Sequence, residues 1–160
     1  QLSVILHNCG SYINLKEVGE NSYKIIMSTE LIGISHKERM IVATAVRYLR
    51  DYFPEYSQLQ DSFDKEEYVR IAKINAILRL ADAMDRSHKQ KFTAITTTLR
   101  SQVLTITGST LYDITLEHGI FQNHSDFFEE VFGIQPILKQ KKTMTPKHIE
   151  STKGKNGGRP

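Results

Sequence analysis

The stretch from Lys65 to about Ser87 constrains the fold more than any other, and within it YVRIAKINAILRLADAM (68–84) is the most telling part. Its first half mixes apolar and charged residues at helical spacing, while its second half is apolar almost all round. A surface helix keeps one polar face, so a helix without one has to be covered on every side. The remaining segments are therefore expected to wrap around it. At 160 residues the chain is long enough for one domain with a real core and a small addition to it.

The flanking segments supply the wrapping. Residues 1–9 read as the end of a helix stopped by Gly10, and NSYKIIMST (21–29) as a short helix capped by Asn21 or Ser22. Ser35 followed by Glu38 is a capping box, after which Ile41, Val42, Ala45, Val46 and Leu49 mark one apolar face through about Tyr52. FPEYSQLQ (53–60) reads as a loop. After Lys91 the pattern changes: FTAITTTL and QVLTIT are rich in Thr, Val and Ile and read as two antiparallel strands joined at Arg100–Ser101. Ile114, Phe121, Phe128 and Phe132 return at helical spacing, Gly133 stops that helix, and IQPILK reads as a last strand. The expected class is α+β: a mainly α-helical part over 1–91, a β-β-α-β appendage over 92–140, and a basic tail over 141–160. TPKHIESTKGKNGGRP has no apolar periodicity and is expected to be disordered.

Charge and cysteine content narrow the function classes. From Lys139 onward seven basic residues face Glu150 alone, which leaves +6 there and −3 on residues 1–138, given a net charge of +3. The body is thus mildly acidic, and residues 92–138 show neither a basic stripe nor stacking aromatics on their strands. Nucleic acid is not the expected partner. No apolar run approaches the ~20 residues needed to span a bilayer, so no membrane association is expected. The single cysteine, Cys9, cannot form an intrachain disulfide and fits a reducing cytoplasm, where it reads as a small buried hydrophobe. The chain opens on Gln1 without a leader and is expected to begin inside a larger protein.

LHNCG (6–10), NSYKIIMSTELIGISHKERMIVATAVRYLR (21–50) and above all ILRLADAMDRSHKQK (77–91) resemble the C-terminal region of the exopolyphosphatase/pppGpp phosphatase (Ppx/GppA) family. The similarity runs from residue 1 to about 140 and includes FFEEVFGI. The resemblance implies an HD-like helical domain that follows a sugar-kinase-like catalytic half, so the family's phosphatase residues would lie outside this chain. It also implies a parent hydrolase of phosphoric anhydrides that uses Mg²⁺, with polyphosphate or guanosine pentaphosphate as substrate, and a homodimer. Relatives commonly show LHDIG, a histidine-rich HHKHSY, RYHR and LRLADALDRSH. Here Asn8 stands in the first motif, Val18-Gly19-Glu20-Asn21 precedes Ser22-Tyr23 in the second, and Leu49 replaces the imidazole of the third. Only the last motif is intact.

A divalent ion that polarises phosphate needs several nitrogen and carboxylate ligands held by further partners. Asn8 offers a neutral carbonyl, Leu49 and Val18 offer nothing, and His7 with Asp82 would make an incomplete site. His7, Asn8, Leu49 and Asp82 are therefore read as vestigial metal-site positions, with no metal and no cofactor expected in this chain. Arg79, Asp82 and Arg86 fall on one helical face, and Asp85 lies one turn before Lys89, which predicts structural ion pairs among Arg79, Asp82, Asp85 and Arg86. A sharper reading makes Arg47, Arg50, Arg86, His88, Lys89 and Lys91 a polyanion cradle at the helix end. His36, His118, His124 and His148 lie at no ligand spacing and read as surface or capping residues.

Two function classes follow. One is a non-catalytic accessory domain that binds polyphosphate or completes a dimer. The other is a residual HD-type metal-dependent phosphohydrolase acting on nucleotides. The number of metal ligands present separates them.

Overall fold

The computed structural model describes residues 1–142. The tail expectation for 143–160, and His148 within it, lies outside the described residues. In chain order the elements are α1 (Leu2–Leu6), a 3₁₀ turn (Cys9–Tyr12), α2 (Val18–Ser28), α3 (His36–Arg47), α4 (Tyr56–Leu59), α5 (Lys65–Met84), β1 (Ala94–Arg100), β2 (Val103–Ser109), α6 (Thr115–Phe132) and β3 (Gln135–Lys141). The class is α+β, helices first and a small sheet after them. No described helix is long and apolar enough to cross a membrane.

Helix α5 is the common strut, and its position explains its sequence. Ile71 and Ala72 join Ile41, Ala45, Phe53 and Phe63 in one apolar cluster, and Leu78 joins Ile26, Val46 and Leu49 in a second. Ala76, Leu80, Ala83 and Met84 meet Phe121 and Phe128 of α6, Ile106 of β2 and Leu138 of β3 in the third. Three neighbours at different azimuths leave little of its second half for water. Inside this packing Asn75 is fully buried and donates its Nδ2–H to the Ala45 carbonyl at 2.8 Å, a polar tie between α5 and α3.

Element ends depart from the sequence reading for identifiable reasons. The first helix ends at Leu6, and Gly10 is not its stop. Gly10 sits buried in the 3₁₀ turn, its N–H donating to Ser22 Oγ at 2.8 Å. Accordingly, α2 begins at Val18, and Asn21 and Ser22 are buried inside it rather than capping it. Helix α3 stops at Arg47 instead of Tyr52, although its Ser35–Glu38 capping box forms as expected. The FPEYSQLQ segment holds the one-turn α4, closed by a reciprocal cap between Glu55 and Gln58.

The sheet has the order β1-β2-β3, with β1 antiparallel and β3 parallel to β2. The hairpin turns on Ser101 and Gln102, one residue later than expected. Both have positive φ, 46° and 62°, the primed geometry whose twist matches the flanking strands. Parallel pairing of β2 and β3 requires a crossover, which α6 supplies before ending at Gly133 in the left-handed region. The last strand extends to Lys141, so that residue belongs to the sheet rather than to the tail.

Candidate functional site

The intact motif places its charges at the C-terminal turn of α5, where Asp82 is the centre. Its side chain is 7% exposed, with Oδ1 3.1 Å from Arg50 Nη2 and Oδ2 3.0 Å from Arg86 Nη1. Both carboxylate oxygens are thus held by guanidinium groups, one from the segment after α3 and one from the next turn of the same chain. The expected Asp82–Arg86 pair is present.

The expected Arg79–Asp82 pair is not. Arg79 Nη2 donates to the carbonyls of Tyr48, at 2.7 Å, and of Asp51, and its guanidinium lies 5.0 Å from the Phe127 ring centroid. The carbonyls of Tyr48, the C-cap of α3, and of Asp51 in the segment after it lie beyond the helical ladder, and Arg79 is the donor that reaches them. Burial is the main influence on this guanidinium and lowers its pKa, with the Asp51 carboxylate opposing. Asp85 does not pair with Lys89 either. Its Oδ1 accepts the Gln90 N–H at 2.8 Å and closes a tight connector in which His88 and Gln90 both have positive φ.

That connector returns Lys91 to the protein. Lys91 Nζ is 2.8 Å from Glu117 Oε2 and 2.7 Å from the Asp113 carbonyl, while Ser87 Oγ donates to Glu117 Oε1 at 2.6 Å. Glu117 is fully buried. Burial raises its pKa, but the bonds from Lys91 and Ser87 together with the Lys91 charge outweigh that and hold the carboxyl below its ordinary range. The sequence reading missed Glu117. It lies on the apolar face of α6, between Ile114 and Phe121 at helical spacing, and a carboxylate there was the available signal of a buried partner.

His124 was also misplaced as a surface residue. It is half-buried on α6, and burial lowers its pKa first. Arg79 and Arg86 act in the same direction against Asp82. His36 and His118 are exposed as expected, with His36 Nδ1 3.0 Å from Arg39 Nη2.

Of the six residues considered as a polyanion cradle, four face carboxylates. Arg47 Nε is 2.8 Å from Glu20 and the group lies over the Tyr23 ring, Arg50 and Arg86 share Asp82, and Lys91 is committed to Glu117. Lys91 is also only 14% exposed. Among the described residues His88 and Lys89 have no ion-pair partner, and both are exposed at the connector. With one carboxylate between two guanidiniums, the Arg50–Asp82–Arg86 group keeps a net positive charge.

The vestigial positions converge in part. His7 lines a cavity of about 190 Å³ with Leu78, Ala81, Asp82, Asp85 and His88. His7 Nδ1, however, is 2.6 Å from the Val4 carbonyl, and Leu49 is buried among Leu78, Val46 and Ile26 where an imidazole would be needed. Asn8 Oδ1 is buried without a partner. Among the described residues no three His, Cys, Asp or Glu side chains come close enough to share a metal. The residues at this position do not fit a divalent ion: guanidiniums hold both oxygens of Asp82, Asp85 Oδ1 accepts the Gln90 N–H, and the buried Leu49 offers no donor.

A cleft of about 440 Å³ over Arg79 is lined by Tyr68 and Phe127, but Glu55, Asp126 and Glu130 stand around it and would repel an anionic ligand. No curated protein matches the chain. The family model described as Ppx/GppA phosphatase, domain III, matches residues 1–129, from α1 to near the end of α6. With four-fifths of its length matched, the chain belongs to the Ppx/GppA phosphatase family, as its domain III.

Proposed function

We propose that this chain is a non-catalytic accessory domain of an exopolyphosphatase/guanosine pentaphosphate phosphatase-like protein, contributing polyphosphate binding, dimerisation or both. The observation that carries this reading is the occupation of Asp82 by Arg50 and Arg86, which turns a metal-binding carboxylate into a cationic cluster. Mg²⁺ and the hydrolytic chemistry belong to the parent's catalytic half, and the setting is the cytoplasm, in keeping with a single cysteine that is free. Arg86, His88 and Lys89 form the contact surface for a phosphate chain, with Arg50 behind them. Lys91 takes no part in it, because its ammonium is committed to Glu117.

The test is polyphosphate binding by fluorescence anisotropy over a salt series. Affinity should fall steeply with salt as counterions are released, and the Arg86→Ala/Lys89→Ala variant should flatten the log–log slope by about 1.4, at ~0.7 per lost contact. A variant that binds like wild type at every salt concentration would overturn the assignment of this surface. The same preparation, titrated with Mn²⁺ or Mg²⁺ and assayed on nucleotides, is expected to show no stoichiometric ion and no metal-dependent hydrolysis. Stoichiometric metal at the His7–Asp82 position would instead favour the residual phosphohydrolase reading.

A further inference from the structure

Strand β1 is the most exposed regular element among the described residues. All seven of its residues are exposed, and among the described residues nothing pairs with its outer edge. The register identifies which backbone groups are free. Gln135 N–H donates to the Gln102 carbonyl and Thr110 N–H to that of Lys141, so the even-numbered residues of β2 turn their amides to β3 and the odd-numbered ones theirs to β1. With Arg100 opposite Val103 and Thr98 opposite Thr105, the even-numbered residues of β1 complete that ladder. Ile95, Thr97 and Leu99 are left with their N–H and C=O groups directed outward.

The same three residues share a face with Gly108, Ile106 and Leu104, the side of the sheet that carries the core. That face is covered over β2 and bare over β1, where Ile95 is 54% and Leu99 58% exposed. Edges of this kind are normally blunted by Lys, Pro, a bulge or a charge pointing inward. AITTTLR has none of these before Arg100, and its β-branched residues favour pairing.

We propose that β1 is a self-pairing edge, which joins two copies of this chain antiparallel about a two-fold axis at Thr97 into one six-stranded sheet. This rests on the dimerisation reading above and assigns it a surface. The strand is self-complementary about that point. Ile95 falls opposite the second copy's Leu99 and Thr97 opposite its counterpart, and these are the residues whose amides point outward, so all of those groups are satisfied. On the other face Thr96 meets Thr98, and Arg100 meets Ala94. The two Arg100 side chains end about 20 Å apart, at ~3.4 Å per residue, so like charges do not oppose the pairing. Beside Ile95 a hollow of about 380 Å³, apolar along Ala81, Met84 and Phe92 and polar along Asp85, Gln90 and Lys91, receives the incoming leucine on its apolar side. A partner of different sequence would have no reason to match this symmetry.

Sedimentation equilibrium of the chain from micromolar to millimolar concentration tests the proposal, with amide exchange followed in the same samples. The expected result is a monomer–dimer equilibrium, with exchange at Ile95, Thr97 and Leu99 slowed as the dimer fills. Thr97→Pro removes an outward N–H that the hairpin does not use, and should weaken the dimer about thirtyfold, since the two-fold loses two donors at once. Ile95→Lys should do the same without a backbone change, and unchanged thermal melts show that both variants fold. A dimer that persists in both variants would overturn the β1 edge while leaving dimerisation intact. A chain that is monomeric at millimolar concentration, whether or not these amides are protected, would overturn both.

Discussion

Replacing Lys91 with Met should lower the thermal midpoint at pH 7 by roughly 10 °C, because it strands a carboxylate in the core at a cost of about 3 kcal/mol. The Lys91–Glu117 pair is the least exposed ion pair of the described residues, and it joins the connector after α5 to the first turns of α6. Changing both partners, as Lys91→Met with Glu117→Gln, should restore most of the loss, since a neutral amide still accepts from Ser87 Oγ. The pH dependence follows from the depressed pKa of Glu117. A carboxyl depressed in the folded state stabilises above its unfolded value near ~4.3 and loses that stabilisation as pH falls through the folded value. In Lys91→Met burial is opposed only by the Ser87 bond and the local backbone, so that pKa rises relative to wild type and the penalty is largest at neutral pH. The two melting curves should converge as pH drops from 7 towards 4.5. A Lys91→Met variant that melts within 2 °C of wild type at pH 7 would show that water, not the ammonium, satisfies Glu117.

Gly10→Ala should destabilise by about 3 kcal/mol, the upper range for forced overpacking, although the change adds one methyl group. A Cβ at this position would press against the Val18 carbonyl oxygen and lie 2.5 Å from Ser22 N, both of them backbone atoms at the start of α2. No side-chain rotation relieves such a contact, so α2 has to shift and the bond from Gly10 N–H to Ser22 Oγ is lost. Ser22→Ala is the control: it removes that hydrogen bond alone and should cost about 1 kcal/mol. Urea denaturation of the three proteins separates the effects. Equal midpoints for Gly10→Ala and Ser22→Ala would mean that the bond matters and the close approach does not.

Both residues show where reading the chain reached its limit. Gly10 was noticed, but as a helix stop, because a glycine after an apolar run is usually one. Its actual constraint is the distance to a second helix, which begins eight residues later and packs back across it. Glu117 lies outside the charged motif, and its place on an apolar helical face is the mark it leaves in the sequence. Arg79 was assigned to Asp82 by its three-residue spacing, yet the unsatisfied carbonyls of Tyr48 and Asp51 were the stronger attraction. A free carbonyl at a helix end leaves no mark in a sequence until the place where the helix ends is known.

What the sequence determined by itself was local or periodic in origin. The apolar run required a central helix, which is covered except at Ile77 and Ala81, the Ser35–Glu38 cap set the start of α3, and the Thr-rich segments gave a hairpin. The losses at positions 8 and 49 were likewise plain, since Asn8 brings a neutral carbonyl in place of a carboxylate and Leu49 no donor atom at all. Pairing between segments distant in the chain was settled by packing in three dimensions. Arg50 and Asp82 are 32 residues apart and Lys91 and Glu117 are 26 apart, and each cation had other carboxylates within reach of any sequence argument. Charge attraction is long-ranged and unselective, so its partners are chosen by the packing of apolar faces that first brings the helices together.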